Sequence, residues 1–215
     1  MNDLMIIGAS GFGREVAWIV ERINKVSPTW NLIGFLDDNE DVQNTTINGY
    51  AVLGIVEDVI KYPDVYYICA IGASRVRENV VNRALGVNPN IRFATLIDPS
   101  VEISNLVDIG EGTVICAHSI ITVNISIGTH VIINLDCTVG HDAVIKDFAT
   151  LYPSVNISGI STIGYCTELG TGMQIIQAKS IGDYTIVGAG AVVVKDIPSK
   201  CTAVGNPAKP IRFFE

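Results

Sequence analysis

The chain has 215 residues, of which 48% are hydrophobic and only 17% are charged, so it can bury one or two cores. Its formal net charge of −8 argues against a nucleic-acid-binding protein, which would normally present a basic face. The mean hydropathy is +0.40, but no stretch of 18 apolar residues is free of charged or turn residues. A membrane-spanning helix is therefore not predicted.

The first residues, Met1 to Leu4, lack a basic segment and lead straight into an apolar strand. They do not read as a signal peptide, so we expect a cytoplasmic protein. The cysteines are odd in number and contain no CxxC pair, which disfavours both disulfide and zinc frameworks and predicts small buried thiols. They are Cys69, Cys116, Cys137, Cys166 and Cys201.

A short apolar run, Leu4 to Ile7, meets the glycine-rich turn Gly8 to Gly13, and a helical pattern follows through Ile23. The N-terminus of a helix offers unpaired N–H groups and a positive dipole to a phosphate. The spacing is GxxGxG and differs from the dinucleotide motif GxGxxG. A phosphate site and a tight turn without any ligand both fit this pattern.

A second predicted strand, Leu32 to Leu36, ends in Asp37 and Asp38, which suit either hydrogen bonds to a ribose or base N–H, or a solvated turn. A helix over 55–61, a strand over 66–72 and a further helix over 76–85 complete a βαβαβα pattern. This predicts a small Rossmann-like parallel sheet in an α/β domain over residues 1–90. The domain is too short for a complete dinucleotide fold and suits a mononucleotide better.

The most regular pattern is a six-residue period from Ile97 to Val193, in which 17 consecutive sixth residues are Ile, Val or Leu. This period fits neither a helix nor a simple strand, but it fits a triangular solenoid with three six-residue sides per coil. Glycine recurs at the second position of the hexad, where we expect a corner to need backbone freedom. The pattern resembles the hexapeptide repeat of left-handed parallel β-helix acyltransferases, and that resemblance supplies the handedness.

The solenoid is predicted over residues 91–198, and residues 199–215 form a cap at its open end. If Ile121, Ile125 and Ile132 point outward, the outer faces carry apolar residues that a trimer would cover.

Three histidines could do chemistry: His118, His130 and His141. His141 has a carboxylate beside it in Asp142, and Asn134 lies seven residues earlier. Such a histidine can act as a general base near neutral pH, although an ordinary solvated histidine also fits. Hexapeptide-repeat carbonic anhydrases bind zinc through an H-x4-H pair, whereas the separations here are 12 and 11 residues, so no metal site is predicted.

Four segments together resemble the sugar acetyltransferases related to the bacillosamine-pathway enzyme and to sialic acid O-acetyltransferases. They are Ile7 to Val16, Phe35 to Asp38, Gly140 to Asp142 and Gly205 to Lys209. The similarity covers the whole chain, in domain order as well as in motifs. It implies an acetyl-CoA-dependent enzyme without a metal, in which a homotrimer places each active site between subunits.

The resemblance also implies roles for individual residues. His141 matches the family's general base, with Asp142 as its carboxylate partner and Asn134 close by. Gly159 matches the glycine whose N–H faces the thioester oxygen, and Ala189 lies in the coil that borders the pantetheine. The nucleotide part of the substrate is placed by four residues: Gly11 and Arg14 near the phosphates, and Asp37 and Asp38 near the uracil and ribose.

One position departs from the family pattern. Relatives often carry a second histidine nine residues after the base, beside acetyl-CoA, whereas this chain has Thr150. A threonine hydroxyl can donate a hydrogen bond but cannot take up a proton near neutral pH. Either the second histidine is dispensable for acyl transfer or the acceptor differs, and we expect the first.

The first functional hypothesis is N-acetylation of a UDP-4-amino-4,6-dideoxy sugar in surface-glycan synthesis, by direct transfer from acetyl-CoA with His141 as the base. The alternative is O-acetylation of sialic acid or a related sugar. A third reading is a scaffold that only senses a nucleotide, which the His141-Asp142 pair and Asn134 disfavour. The sequence does not separate an amine acceptor from a hydroxyl acceptor.

Overall fold

The computed structural model describes residues 1–214, which divide by their contacts into an N-terminal unit, Met1–Pro99, and a solenoid unit from Ser100 onward. No helix in the described part of the chain is long and apolar enough to cross a membrane.

The N-terminal unit is built on a parallel sheet, as the sequence predicts, but the sheet has a fourth strand, Arg92–Phe93, that the predicted βαβαβα pattern lacks. Its elements, in chain order, are β1 (Asn2–Ile7), α1 (Gly11–Val26), β2 (Trp30–Leu36), a 3₁₀ helix (Glu40–Val42), β3 (Thr46–Ile47), β4 (Tyr50–Ala51), a second 3₁₀ helix (Val56–Lys61), β5 (Tyr66–Cys69), α2 (Ser74–Val87), β6 (Arg92–Phe93) and β7 (Leu96–Ile97). The strand order is β2-β1-β5-β6, so the apolar β1 lies inside the sheet.

Burial explains this order. Leu4 to Ile7 are fully buried, which requires cover on both faces of the strand. The predicted apolar stripe of α1 is buried too, including Val16 and Val20. The hairpin of β3 and β4 was not predicted, although its turn, Asn48-Gly49, has the positive φ values that favour these two residues.

The solenoid unit is a parallel β-helix with three faces. Strands on one face pair in register at a separation of 18 residues, as Ile121 does with Val139 and Val139 with Ile157. The last parallel pair of the first face, Ile186 with Thr202, is 16 residues apart. The first face holds Val114–Ile115, Ile132–Ile133, Thr150–Leu151, Glu168–Leu169, Ile186–Val187 and Cys201–Val204, the last paired antiparallel with Lys209–Phe213. The second face holds Glu102–Ile103, Ile120–Ile121, Thr138–Val139, Asn156–Ile157, Gln174–Ile175 and Val192–Val193. The third face holds Val107–Ile109, Ile125–Ile127, Val144–Ile145, Thr162–Ile163 and Ser180–Ile181.

The hexad residues fill the interior, as predicted: Ile115, Ile133 and Leu151 are fully buried. Ile121, Ile125 and Ile132 are each only 1% exposed, so they do not form the exposed apolar surface that the sequence analysis considered for a trimer. Apolar side chains that are exposed on the outer faces are instead Ile120, Val144 and Ile186.

The recurring glycines have a different cause from the one expected. Gly140 does not adopt a positive φ, but a Cβ there would lie 2.7 Å from the backbone nitrogen of Gly159 in the next coil. Positive φ occurs two residues later, at Asp142 (58°) and its equivalents Asn124 (56°), Ile160 (60°) and Ala178 (57°). The second hexad position therefore needs glycine for close coil stacking, and the fourth position makes the corner.

Candidate functional site

The clearest chemical arrangement in the solenoid unit is the pair His141 and Asp142, at the corner between the second and third faces. Nδ1 of His141 lies 2.7 Å from Oδ2 of Asp142, and both side chains are half-exposed. The left-handed backbone of Asp142, a conformation that Asp tolerates well, sets this geometry together with its N–H bond to the carbonyl of Val123 (3.1 Å). An ionised carboxylate only accepts hydrogen bonds, so Nδ1 carries the proton and Nε2 presents its lone pair.

Gly159, one coil later, lies directly against the His141 ring. A Cβ on Gly159 would be 2.6 Å from Nε2, so only glycine fits beneath the ring in this position. The carbonyl of Gly159 accepts a hydrogen bond from the N–H of Ala178 (3.0 Å). Its own N–H donates to no atom within residues 1–214, which leaves it available to a ligand oxygen.

Asn134 and Thr150 have no described contact with the side chain of His141. Asn134 is buried, and its Oδ1 accepts a hydrogen bond from the N–H of Leu135 (2.7 Å). Thr150 is fully buried on the first face, where it pairs with Ile132 and Glu168. The described contacts of His141 are with Asp142 and Gly159, so the roles of Asn134 and Thr150 stay predictions. Ala189 is exposed, in a coil beyond Gly159.

The N-terminal unit has a pocket of about 220 Å³ at the carboxyl ends of β1, β2 and β5. Parallel sheets commonly bind ligands at this edge. The pocket is lined by polar residues of the predicted site and by apolar residues that the sequence analysis did not assign to it: Ile7, Gly8, Ser10, Leu36, Asp37, Asp38, Val56, Ile71, Val76 and Val80. Val76 and Val80 belong to the apolar helix face that the sequence predicts. That face was the one signal that could have identified them as pocket residues.

The carboxylate of Asp37 holds the glycine-rich turn in place. Its Oδ2 accepts from the N–H of Ala9 (2.7 Å), and its Oδ1 accepts from the N–H of Asn39 (2.9 Å). Close packing fixes the same turn, because a Cβ on Gly13 would collide with the carbonyl of Gly8. Asp37 therefore positions the turn in addition to lining the pocket.

Asp38 is held by a cation that the sequence analysis missed. Nη1 of Arg83 lies 2.7 Å from Oδ2 of Asp38, and Nη2 lies 2.6 Å from Oε1 of Glu57. The hydrogen bonds to these two carboxylates raise the pKa of Arg83 above its ordinary value. Oδ1 of Asp38 also accepts from the N–H of Val56 (3.1 Å). Asp38 thus ties β2, the second 3₁₀ helix and α2 together at the pocket rim.

Gly11 and Arg14 do not line this pocket. They lie in a separate shallow depression with Glu15, Trp18 and Asn48. The four predicted nucleotide-binding residues therefore divide between two depressions.

The other two histidines lie elsewhere. His130 is buried and stacks on Phe148, with 5.0 Å between ring centroids, while His118 is exposed at another corner. Among the described residues, no three His, Cys, Asp or Glu side chains form a group that could hold a metal ion.

Comparison with known proteins gives matches to both units. The family model of the PglD N-terminal domain matches residues 3–84. The acetyltransferase domain of PglB from Neisseria gonorrhoeae, solved alone and with acetyl coenzyme A, is 32% identical, with a TM-score of 0.89 for the structure without the coenzyme. That match covers 98% of this chain and 100% of the other.

A perosamine N-acetyltransferase from Caulobacter crescentus, solved with CoA and GDP-perosamine, is 28% identical, with a TM-score of 0.86 over 99% of this chain and 98% of that one. A serine acetyltransferase from Synechococcus elongatus is 31% identical over 81 residues, which are 34% of this chain and 33% of that protein. The chain spans between 23% and 47% of the length of the first curated relatives it matches. The structural likeness confirms the predicted fold class, an α/β domain followed by a left-handed parallel β-helix.

Proposed function

Because this chain belongs to the hexapeptide-repeat sugar N-acetyltransferase family, we propose that it transfers an acetyl group from acetyl-CoA to the amine of a nucleotide-activated amino sugar. The observation that carries the proposal is the arrangement of His141, Asp142 and Gly159. It combines an oriented base, an open Nε2 and an unengaged N–H at one exposed corner.

The proposed mechanism is direct transfer in a ternary complex. Nε2 of His141 removes a proton from the sugar amine as the nitrogen attacks the thioester carbonyl, and Asp142 stabilises the imidazolium that forms. The N–H of Gly159 donates to the oxyanion of the tetrahedral intermediate. The C–S bond then breaks, and the thiolate of CoA leaves and takes up the proton from His141.

The donor, acetyl-CoA, is supported by the PglB domain and the perosamine enzyme, which were solved with acetyl coenzyme A and with CoA. In the proposed complex, the thioester lies over Gly159 and the pantetheine runs towards Ala189. Thr150 is fully buried, so its predicted place beside acetyl-CoA is not part of this mechanism.

The acceptor is proposed to be a UDP-4-amino-4,6-dideoxy sugar used in surface-glycan synthesis, with its nucleotide in the pocket at Asp37 and Asp38. An amine acceptor is supported by the perosamine N-acetyltransferase, whose complex contains a nucleotide-linked amino sugar. That sugar carries GDP, so the identity of the nucleotide base must be tested directly. The proposal includes a homotrimer with active sites between subunits, for which the exposed Ile120 and Val144 beside the His141 corner are the physical motive.

The test is release of free thiol from acetyl-CoA with a panel of acceptors. UDP-linked 4-amino-4,6-dideoxy-N-acetylhexosamines, GDP-perosamine, and free and CMP-linked sialic acid would be compared. Turnover of a nucleotide-linked amino sugar, with acetyl found on nitrogen by mass spectrometry and NMR, is the expected result. Turnover of sialic acid alone would identify an O-acetyltransferase and overturn the proposal.

A further inference from the structure

Ile160, at the corner of the solenoid that carries His141, combines a strained backbone with an exposed apolar side chain. Its φ is 60°, in the left-handed region that β-branched residues disfavour, and its side chain is 50% exposed. We propose that Ile160 determines the specificity for the acyl donor, because its side chain walls the space beside Gly159 and limits the donor to a short acyl group. This inference rests on the proposed function.

The corner itself does not require isoleucine at this position. The equivalent residues of neighbouring coils, Asn124, Asp142 and Ala178, have φ values of 56°, 58° and 57°. Asn and Asp tolerate this conformation, and alanine has no branch at Cβ. Any of these residues would therefore continue the coil at position 160 with less strain. Backbone strain that folding does not require is typical of functional sites.

The backbone places Ile160 next to the reacting groups. Its N–H donates to the carbonyl of His141 (2.8 Å), so residue 160 is anchored on the proposed base. The preceding residue, Gly159, lies against the His141 ring, where a Cβ would be 2.6 Å from Nε2. Consecutive Cα atoms are about 3.8 Å apart. The side chain of Ile160 therefore begins one residue from the N–H that is proposed to hold the thioester oxygen.

The proposed complex directs the acyl chain along the surface beside Gly159. The carbonyl carbon of a thioester is planar and carries an oxygen, a sulfur and the acyl chain. The oxygen points at the N–H of Gly159, and the sulfur points to the later coils, towards Ala189. The acyl chain takes the third direction in this plane, and the amine attacks from above the plane. Ser158 and Ile160 flank Gly159 along the chain, and of these two only Ile160 presents a large apolar group.

The shape of isoleucine suits a wall that measures chain length. An acetyl methyl group packs against an aliphatic side chain, whereas an additional methylene must displace that side chain. Branching at Cβ restricts χ1, so Ile160 yields less readily than an unbranched residue would. One methylene in an apolar site changes kcat/KM about 10–200-fold. The strained backbone at position 160 is then the cost of selectivity between donors, since activity and stability often oppose each other at such sites.

The test compares acetyl-CoA with propionyl-CoA in the wild type, Ile160→Val and Ile160→Ala. Transfer to the sugar amine forms one N–C bond and breaks one C–S bond with either donor, so the ratio of the two kcat/KM values isolates the effect of acyl length. Calorimetry with each CoA ester, without an acceptor, measures the preference in the absence of turnover. Ile60→Ala is the matched control, because Ile60 is a 57% exposed isoleucine of the N-terminal unit outside the pocket lining.

We expect the wild type and the Ile60→Ala control to prefer acetyl-CoA at least about tenfold in kcat/KM. Ile160→Ala should lower this preference about tenfold, and Ile160→Val, which loses one methyl group, should fall between. Calorimetry should give the same order of the four proteins. A purely structural role predicts a different order, because Ile160→Val keeps the β-branch and its strain and would then match the wild type.

An unchanged preference in Ile160→Ala, an Ile160→Val equal to the wild type, or a wild type without any preference would overturn the role of Ile160. A wild type that binds acetyl-CoA but acetylates no amino sugar would overturn the proposed function, while the calorimetric comparison would still decide the role of Ile160. A wild type that binds neither CoA ester would overturn both.

Discussion

At the scale of single residues, His141 makes the sharpest prediction. His141→Ala removes the proposed base, whose contribution to such reactions is about 10²–10⁴ in rate, so kcat/KM should fall by that factor. His118→Ala is the matched control, because His118 is an exposed corner histidine that has no carboxylate partner within residues 1–214. A His141→Ala enzyme that keeps more than about a tenth of wild-type kcat/KM would contradict the assignment.

Ile160 makes a prediction about stability. It is the one β-branched residue among the described residues with a positive φ, and its side chain is 50% exposed. That backbone costs a β-branched residue about 1–2 kcal/mol, whereas Asn adopts it readily. Ile160→Asn should therefore raise the free energy of unfolding by about 1 kcal/mol, measured in urea. Ile176→Asn, at an exposed apolar position with ordinary φ, should give no such gain, and equal effects of the two variants would refute the strain argument.

At the scale of elements, the aspartates after β2 connect the pocket to the glycine-rich turn. Asp37→Asn cannot accept from both Ala9 and Asn39 through two carboxylate oxygens, and Asp38→Asn loses its ion pair with Arg83. Both variants should weaken nucleotide-sugar binding about tenfold and leave acetyl-CoA binding nearly unchanged, as measured by calorimetry. The exposed Asp64, outside the pocket lining, provides the control Asp64→Asn. The opposite order of effects would refute the assignment of the nucleotide to this unit.

Asp183, in the solenoid, gives a prediction about how thermal stability depends on pH. Burial raises the pKa of Asp183, but hydrogen bonds from the N–H of Tyr165 (2.8 Å) and from Lys146 (3.1 Å) outweigh it, so the pKa lies below its ordinary value. A lowered folded pKa adds stability above the unfolded pKa of about 3.9, which is lost as the pH falls through the folded pKa. Asp183→Asn should therefore lower Tm at pH 7 and converge with the wild type towards pH 3. A difference in Tm that stays constant from pH 7 to pH 3 would contradict this.

The solenoid could be predicted from the sequence because its energetics repeat. Each coil must present an aliphatic residue at the same point to continue the core, so the period appears directly in the chain. The reason for the glycines could not be read in this way, since the clash at Gly140 is with a residue in the next coil. The burial of Ile125 and Ile132 was missed as well, because the hexad count marks one interior row only.

The site was predictable where its partners are adjacent. Asp142 follows His141 directly, and the structure joins them. Arg83 was missed because it lies 45 residues from Asp38, and no local pattern links the two. Sequence periodicity therefore predicts stacking better than it predicts which outer side chains converge.

At the scale of the whole molecule, the shared-site proposal predicts a trimer in sedimentation. Ile120 on the second face and Val144 on the third face flank the His141 corner and are 46% and 39% exposed in the single chain. If subunits meet at this corner, these side chains are buried there, and charging them is costly. Ile120→Glu/Val144→Glu should therefore sediment as a monomer and lose activity, whereas Ile211→Glu, on the exposed terminal strand, should remain trimeric and active. A wild-type chain that sediments as a monomer would refute the shared site, because no second subunit would then be present to complete it.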